Sequence, residues 1–420
     1  MLDAEAFLGL HDYLRSSYPR VFSELQVEVI NDYSLLLVWP GTDTSRPPVL
    51  FTAHMDVVPV EPGTESGWAH PAFAGVIDDG MIYGRGSLDD KVGVISWLEA
   101  AERLLSEGFI PQRTLVFGFG HDEEIGGNAG AAMIAARLRE LGMHFEWMVD
   151  EGSIILENNP MVAGRPTVLI GVAEKAYLTL SITATGEGGH SSMPPAHTAA
   201  GKLAAAVVQV ENNPLPIKLV APIDTMLERS AAYVDFPNNL VLDNLWLTGS
   251  LVARRMAQER STSNLVRTTT AVTILRAGVK DNVIPQTAEA RVNFRLLPGD
   301  TPEMVIEHVR RVIDDPEISI DAGDTWQLPP PVAAMDGSGF EVIGAAARSR
   351  YPDAVVLPFL LAGATDIRHY VDLADNHYRF HGITIGLDQT GGIHGTDERV
   401  GVESFEAAVD IAVQMMRGAQ

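Results

Sequence analysis

Early in this chain, strand-like apolar runs repeatedly stop at acid. PPVLFTAHMDVVPV carries such a run into His54-Met55-Asp56, RTLVFGFG leads into His121-Asp122-Glu123-Glu124, and FEWMVDEG ends at Asp150-Glu151. Between them, LDDKVGVISWLEAAERLLSEGF and NAGAAMIAARLRELGM place apolar residues at helical spacing, the first from Val92 through Leu98 to Leu105. Strands that alternate with helices predict an α/β fold: a mostly parallel sheet with helices on both faces.

A chain of 420 residues exceeds one comfortable core, so a second domain is expected. Near Ala176 the pattern changes. YLTLSITATGEGG alternates apolar and polar residues, as a half-exposed strand does. A helix follows in TAAGKLAAAVVQVENN, then a long irregular stretch, then strand candidates in TTTAVTILRAG and VIPQTAEARVNFRLLPG. TPEMVIEHVRRVIDD predicts a helix with Thr301 as N-cap and Pro302 at its first position. These pieces predict an α+β insert over 178–327, with QLPPPV (Gln327–Val332) marking the return; 1–177 plus 328–420 form the first domain.

Adjacent carboxylates repel and are costly to bury unpaired. In an open parallel sheet, ligand sites form outside the carboxyl ends of the strands. That geometry gathers His54, Asp56, Asp89, Asp90, Glu123, Glu124, Asp150 and Glu151 in one place. Such a concentration is tolerable around one or two divalent cations. Histidine and carboxylates without cysteine suit Zn²⁺, Mn²⁺ or Co²⁺ in an open catalytic site, and this chain has no cysteine. Two metals about 3.5–4 Å apart commonly serve hydrolases. A net charge of −25 argues against nucleic acid or an anionic membrane as partner. The N-terminal stretch reads as an amphipathic helix rather than a signal peptide, and no stretch is apolar enough to span a membrane. A cytoplasmic location is expected.

The succession HMDVVP, GRGSLDDKVG, HDEEIGG, VDEG, GGHSSMPP and GGIHGTDE, from about Pro48 to Glu398, resembles the dizinc aminoacylase/carboxypeptidase family. GHDEE, DNLWL, RTTTAVTILRAGVKDNVIP and YRFHGI look closest to its branch of Gly-Xaa carboxypeptidases and N-fatty-acyl-amino-acid synthase/hydrolases. The resemblance implies two Zn²⁺ per chain, with Co²⁺ or Mn²⁺ as substitutes. Their ligands would be His54, Asp89 as the bridge, Glu124, His394, and Glu151 or Asp150. It also implies a cis peptide between Asp89 and Asp90. Asp56 would fix the tautomer of His54, and Glu123 would be the general base. The insert resembles a lid and dimerisation domain. Its His190 would reach the partner subunit's active site and polarise the scissile carbonyl. Arg295 would pair with the substrate's α-carboxylate, Asn282 would add a hydrogen bond nearby, and the loop at Gly363 would receive that carboxylate on backbone N–H groups.

The implied activity is hydrolysis of the amide bond of N-acyl amino acids, with Gly-Xaa dipeptides as the alternative substrates. A binding protein that kept the pocket without catalysis is the alternative from another class. NPLPIKLVAPIDTMLERSAAYVDFPNNLVLDNLWLTGSLVARRM, rich in Leu, Val and Met, reads as lid packing or as the wall of a pocket for a long acyl chain or an aromatic group.

Overall fold

Val49–His54, Leu115–Gly120 and Trp147–Asp150 are buried at every position, so neither face of these strands meets water. In the computed structural model, which describes residues 3–323, 326, 328–387 and 389–420, they are neighbouring parallel strands. His54 pairs level with Gly120, and Phe51 with Val149, so their polar tips emerge at one edge. They belong to a ten-stranded sheet whose centre is parallel and whose Gln26–Ile30 and Ser34–Trp39 side is antiparallel.

Strand alternation then assigns the two faces. Phe51, Phe117 and Val149 point to one side, where Trp97, Leu98 and Leu104 of helix Lys91–Ser106 and Ile411, Ala412 and Met415 of helix Val402–Gly418 cover them. Leu50, Val116 and Met148 point to the other, against Ile134, Ala135 and Leu138 of helix Ala131–Glu140. Among the described residues no helix is long and apolar enough to cross a membrane.

A separate four-stranded antiparallel sheet has the order Thr269–Ala277, Thr287–Leu296, Ala176–Thr185, Ile318–Asp321. Ala176–Thr185 alternates between buried and more exposed positions, and helices Ala199–Asn212 and Pro302–Ile313 share its core. Thr301 accepts a hydrogen bond from the Met304 N–H as N-cap. The return point expected at Gln327 lies outside the described residues.

The stretch read as irregular contains helices Ile223–Ser230, Asn238–Asp243 and Leu245–Met256. Its Ile223, Met226, Leu227 and Leu245 pack with Leu169, Val355, Leu357 and Leu360, on strands of the large sheet. Lys175 stands where the chain crosses from Arg165–Glu174 into Ala176–Thr185. It is fully buried, and its ammonium donates to the carbonyls of Asn264 at 2.8 Å and Arg267 at 2.9 Å. Burial, with help from the charge of Arg295, pushes this ammonium down to about 7.

Phe51 touches Trp97, Phe117 and Trp147, with ring centroids 4.7, 5.4 and 5.8 Å away. Phe51→Ala is expected to cost about 3–5 kcal/mol, the usual range for an emptied aromatic core site. Urea unfolding followed by tryptophan fluorescence checks this.

Candidate metal centre

Each acidic tip has its own local reason for its position. In His121-Asp122-Glu123-Glu124 the first two residues are absorbed by the fold. The His121 Nδ1 lies 2.7 Å from the Ser34 hydroxyl, and the ring packs edge-on against Phe7 and Tyr33. Asp122 accepts the N–H groups of Ala129 and Gly130, both at 2.7 Å, at the start of helix Ala131–Glu140. Glu123 and Glu124 are left to face the strand ends. Asp56 fixes them there: its Oδ1 accepts the Glu123 N–H and its Oδ2 the Glu124 N–H, both at 3.1 Å.

His54 closes its strand with two differently occupied nitrogens. Its Nδ1 lies 3.3 Å from Asp56 Oδ1, while Nε2 lies 2.9 Å from Asp89 Oδ1 and 3.8 Å from Glu151 Oε1. The second oxygen of Asp89 lies 2.9 Å from His394 Nε2, which is also 3.2 Å from Glu124 Oε1. Asp89 thus stands between two imidazoles, one oxygen to each. The donor atoms of His54, Asp89 and Glu124 lie within 4.8 Å of one another, as do those of His54, Glu123 and Glu151.

Asp89 precedes a cis peptide. The next residue, Asp90, is fully buried. It accepts the His54 backbone N–H at 3.2 Å, sits 2.8 Å from His381 Nε2, and caps helix Lys91–Ser106 through the Gly93 N–H. At the third strand end Glu151, not Asp150, turns toward His54. Asp150 is buried beside Thr52, where burial raises its carboxyl above the usual range.

Charge is crowded here. Burial pushes Glu123 up to about 7 against the pull of the His54 and Arg368 charges. Burial and then the Asp89 charge raise Glu151 well above the carboxylate range, and raise Glu124 as well. Asp89 goes the other way: burial opposes ionisation, but its contacts with His394 and His54 outweigh it and lower its carboxyl. His394 is pushed up to about 9, chiefly by Asp89. Partly buried carboxylates that two imidazoles cannot neutralise are what a divalent cation would satisfy, and the oxygen–nitrogen donor set fits Zn²⁺, Mn²⁺ or Co²⁺.

The remaining expected residues lie elsewhere in the chain. His190 is exposed in a two-stranded pair with Val283–Ile284, its Nδ1 bonded to the Ser192 N–H at 3.1 Å. Asn282 adjoins it, its carbonyl accepting the Ser191 N–H at 3.2 Å. The structure therefore brings His190 and Asn282 together. Arg295 lies over the Tyr177 ring at 4.8 Å, half-buried, and feels the charge of Arg368. Gly363 sits exposed just before Thr365 and Asp366. Two residues without an expected role join the site. Arg368 places Nη2 3.7 Å from Glu123 Oε1, and His381 contacts Asp90. Arg368 lies in the same LAGATDIRHY stretch as Gly363, and nothing in that stretch points to Glu123, 245 positions away in the chain.

Residues 50–418 match the model of peptidase family M20/M25/M40. The chain belongs to that family. It is 38% identical over 418 residues to a probable carboxypeptidase S-like 2 of Dictyostelium discoideum, covering 99% of this chain and 80% of the relative. It is also 38% identical over 410 residues to N-fatty-acyl-amino acid synthase/hydrolase PM20D1 of Xenopus tropicalis, covering 97% and 79%. Among solved structures, the M20 family metallo-carboxypeptidase Sso-CP2 from Sulfolobus solfataricus shares the fold, with a TM-score of 0.71 at 16% identity, covering 99% of this chain and 94% of that one. This M20 chain is a hydrolytic metalloenzyme that uses divalent metal, which sets aside a purely binding role.

Asp56 touches both His54 and the Glu123–Glu124 backbone, so Asp56→Asn is expected to weaken metal affinity about 10–100-fold. Titration with a chelating competitor measures it.

Proposed function

We propose that this M20 enzyme holds two zinc ions and hydrolyses the amide bond of N-acyl amino acids. One observation carries the reading: Asp89 offers separate oxygens toward His54 and His394, with Glu151 on the first side and Glu124 on the second. A carboxylate so placed would suit a bridge between two cation positions, which supports the reading. Bound divalent ions would supply Lewis acidity and lower the pKa of water near neutrality.

The chain's own residues divide the remaining work. Glu123, beside the cluster and raised toward neutrality by burial, accepts the proton of the attacking water and returns it to the departing nitrogen. Arg295 receives the free carboxylate of the amino-acid half through its guanidinium fork, with Asn282 and the loop at Gly363 beside it. His190 polarises the scissile carbonyl from a second copy of the chain. The insert over 178–327 acts as lid and dimerisation domain. Its edge strand Thr269–Ala277, with Leu275 exposed, supports pairing between copies.

The two kinds of relative keep a second substrate class in view, since one is named as a carboxypeptidase S-like protein. The deciding experiment compares release of free amino acid from N-acetyl, N-fatty-acyl and N-aroyl amino acids and from Gly-Xaa dipeptides, with added Zn²⁺, Mn²⁺ or Co²⁺. N-acyl amino acids are expected to be the better substrates; preference for Gly-Xaa would move the enzyme to the dipeptidase class. In the same assay Glu123→Gln is expected to retain metal and lose about 10²–10⁴-fold in kcat.

Sharing of the site between copies has its own test. Neither Glu123→Ala nor His190→Ala should turn over alone, yet mixed after dissociation they should recover about a quarter of wild-type activity, from the one intact site in each mixed dimer. No recovery would confine His190 to its own subunit.

A further inference from the structure

Asp89 and His394 sit on loops 305 positions apart, and one buried ion pair fastens both. The side chains of Arg85 and Glu398 are 3% and 0% exposed, with Arg85 Nη1 2.6 Å from Glu398 Oε2. That oxygen also accepts the Gly86 N–H at 3.0 Å. The other oxygen accepts the N–H of Leu88 at 2.7 Å and of Asp89 itself at 3.2 Å. One carboxylate therefore gathers three backbone donors from the turn that delivers Asp89.

Arg85 reaches the opposite way. Its Nη2 donates to the carbonyls of Gly395 at 2.9 Å and His394 at 3.4 Å. The His394 loop needs such support. His394 has a φ of 58°, a left-handed conformation uncommon for a residue with a side chain. At Gly395 a Cβ would lie 2.2 Å from the Gly391 carbonyl, so the turn admits only glycine. The Trp68 ring covers the guanidinium, 5.4 Å from its carbon.

We propose that Arg85 and Glu398 are a positioning pair that sets the separation of Asp89 from His394, and with it the affinity of the metal position those two share with Glu124. The inference rests on the metal-centre reading above. Neither residue contacts the candidate donor atoms; the pair acts through the backbone of the two loops. A buried ion pair is by itself weak evidence of stabilisation, since desolvation offsets the attraction. Here the carboxylate is filled by four donors, and what the pair specifies is geometry.

The molecule contains its own control. Glu174 and Arg379 form a second buried pair, 3.0 Å apart, whose Glu174 also accepts the Thr365 hydroxyl at 3.0 Å. It holds neither the Asp89 nor the His394 loop. The full chain, loaded with zinc, is dialysed against graded chelator, and metal per chain is measured for wild type, Glu398→Gln, Arg85→Lys and Glu174→Gln. Circular dichroism confirms that each is folded. Glu398→Gln is expected to give up one equivalent at a chelator concentration at least about tenfold lower than wild type, while the second equivalent holds and excess zinc restores the first. Glu174→Gln should release metal as wild type does. If Glu398→Gln does not fold, Arg85→Lys carries the test: it keeps the charge, loses the two-way reach, and should show the same early loss. Release at the wild-type concentration from the Glu398 and Arg85 variants, or equal loosening by Glu174→Gln, overturns the proposal while leaving the metal centre intact. A wild-type chain that takes up no zinc overturns both.

Discussion

A single carboxylate, Asp89, shared between two imidazoles is the contact around which the rest is organised. Its neighbours follow from the need to hold it still and to balance the acid around it. Asp90 stiffens the turn by capping a helix and holding the His54 backbone, while Asp56 aims the Glu123–Glu124 turn inward. Burial magnifies every charge, so the same residues that make a cation necessary also make it selective for nitrogen and oxygen donors. The aromatic layer of Phe51, Trp97, Phe117 and Trp147 lies among the strands that carry these tips and one helix that covers them.

Much of this is legible in the sequence because strand ends are local. The apolar run Val49–Ala53 predicts a buried strand, and its sequel His54 is then at an edge by necessity. The same reasoning places Glu123 and Glu124. It does not separate Asp122 from them, because the role of Asp122 depends on the backbone at Ala129 and Gly130 folding back onto its carboxylate. Nor does it find Arg85 with Glu398, whose partnership spans 313 positions.

The helices between 223 and 256 escaped a periodicity reading for a physical reason. Pro214, Pro216, Pro222 and Pro237 break the stretch into short pieces. In Leu245–Met256 the apolar residues also occupy both faces: Leu245 and Met256 are buried, while Trp246 is 83% exposed and Leu247 and Leu251 also face water. A helix without a clean stripe reads as coil. His190 and Asn282 meet where Gly189–His190 pairs with Val283–Ile284, a contact between distant stretches that no local pattern announces.

The crossing at Lys175 has a mechanical consequence. Ala176–Thr185 and the stretch at Asn264–Arg267, which leads into Thr269–Ala277, both enter the small sheet, and both are tied to one ammonium at the same point. A displacement of the small sheet at this crossing would therefore load both segments through the same ammonium, so neither could loosen without the other.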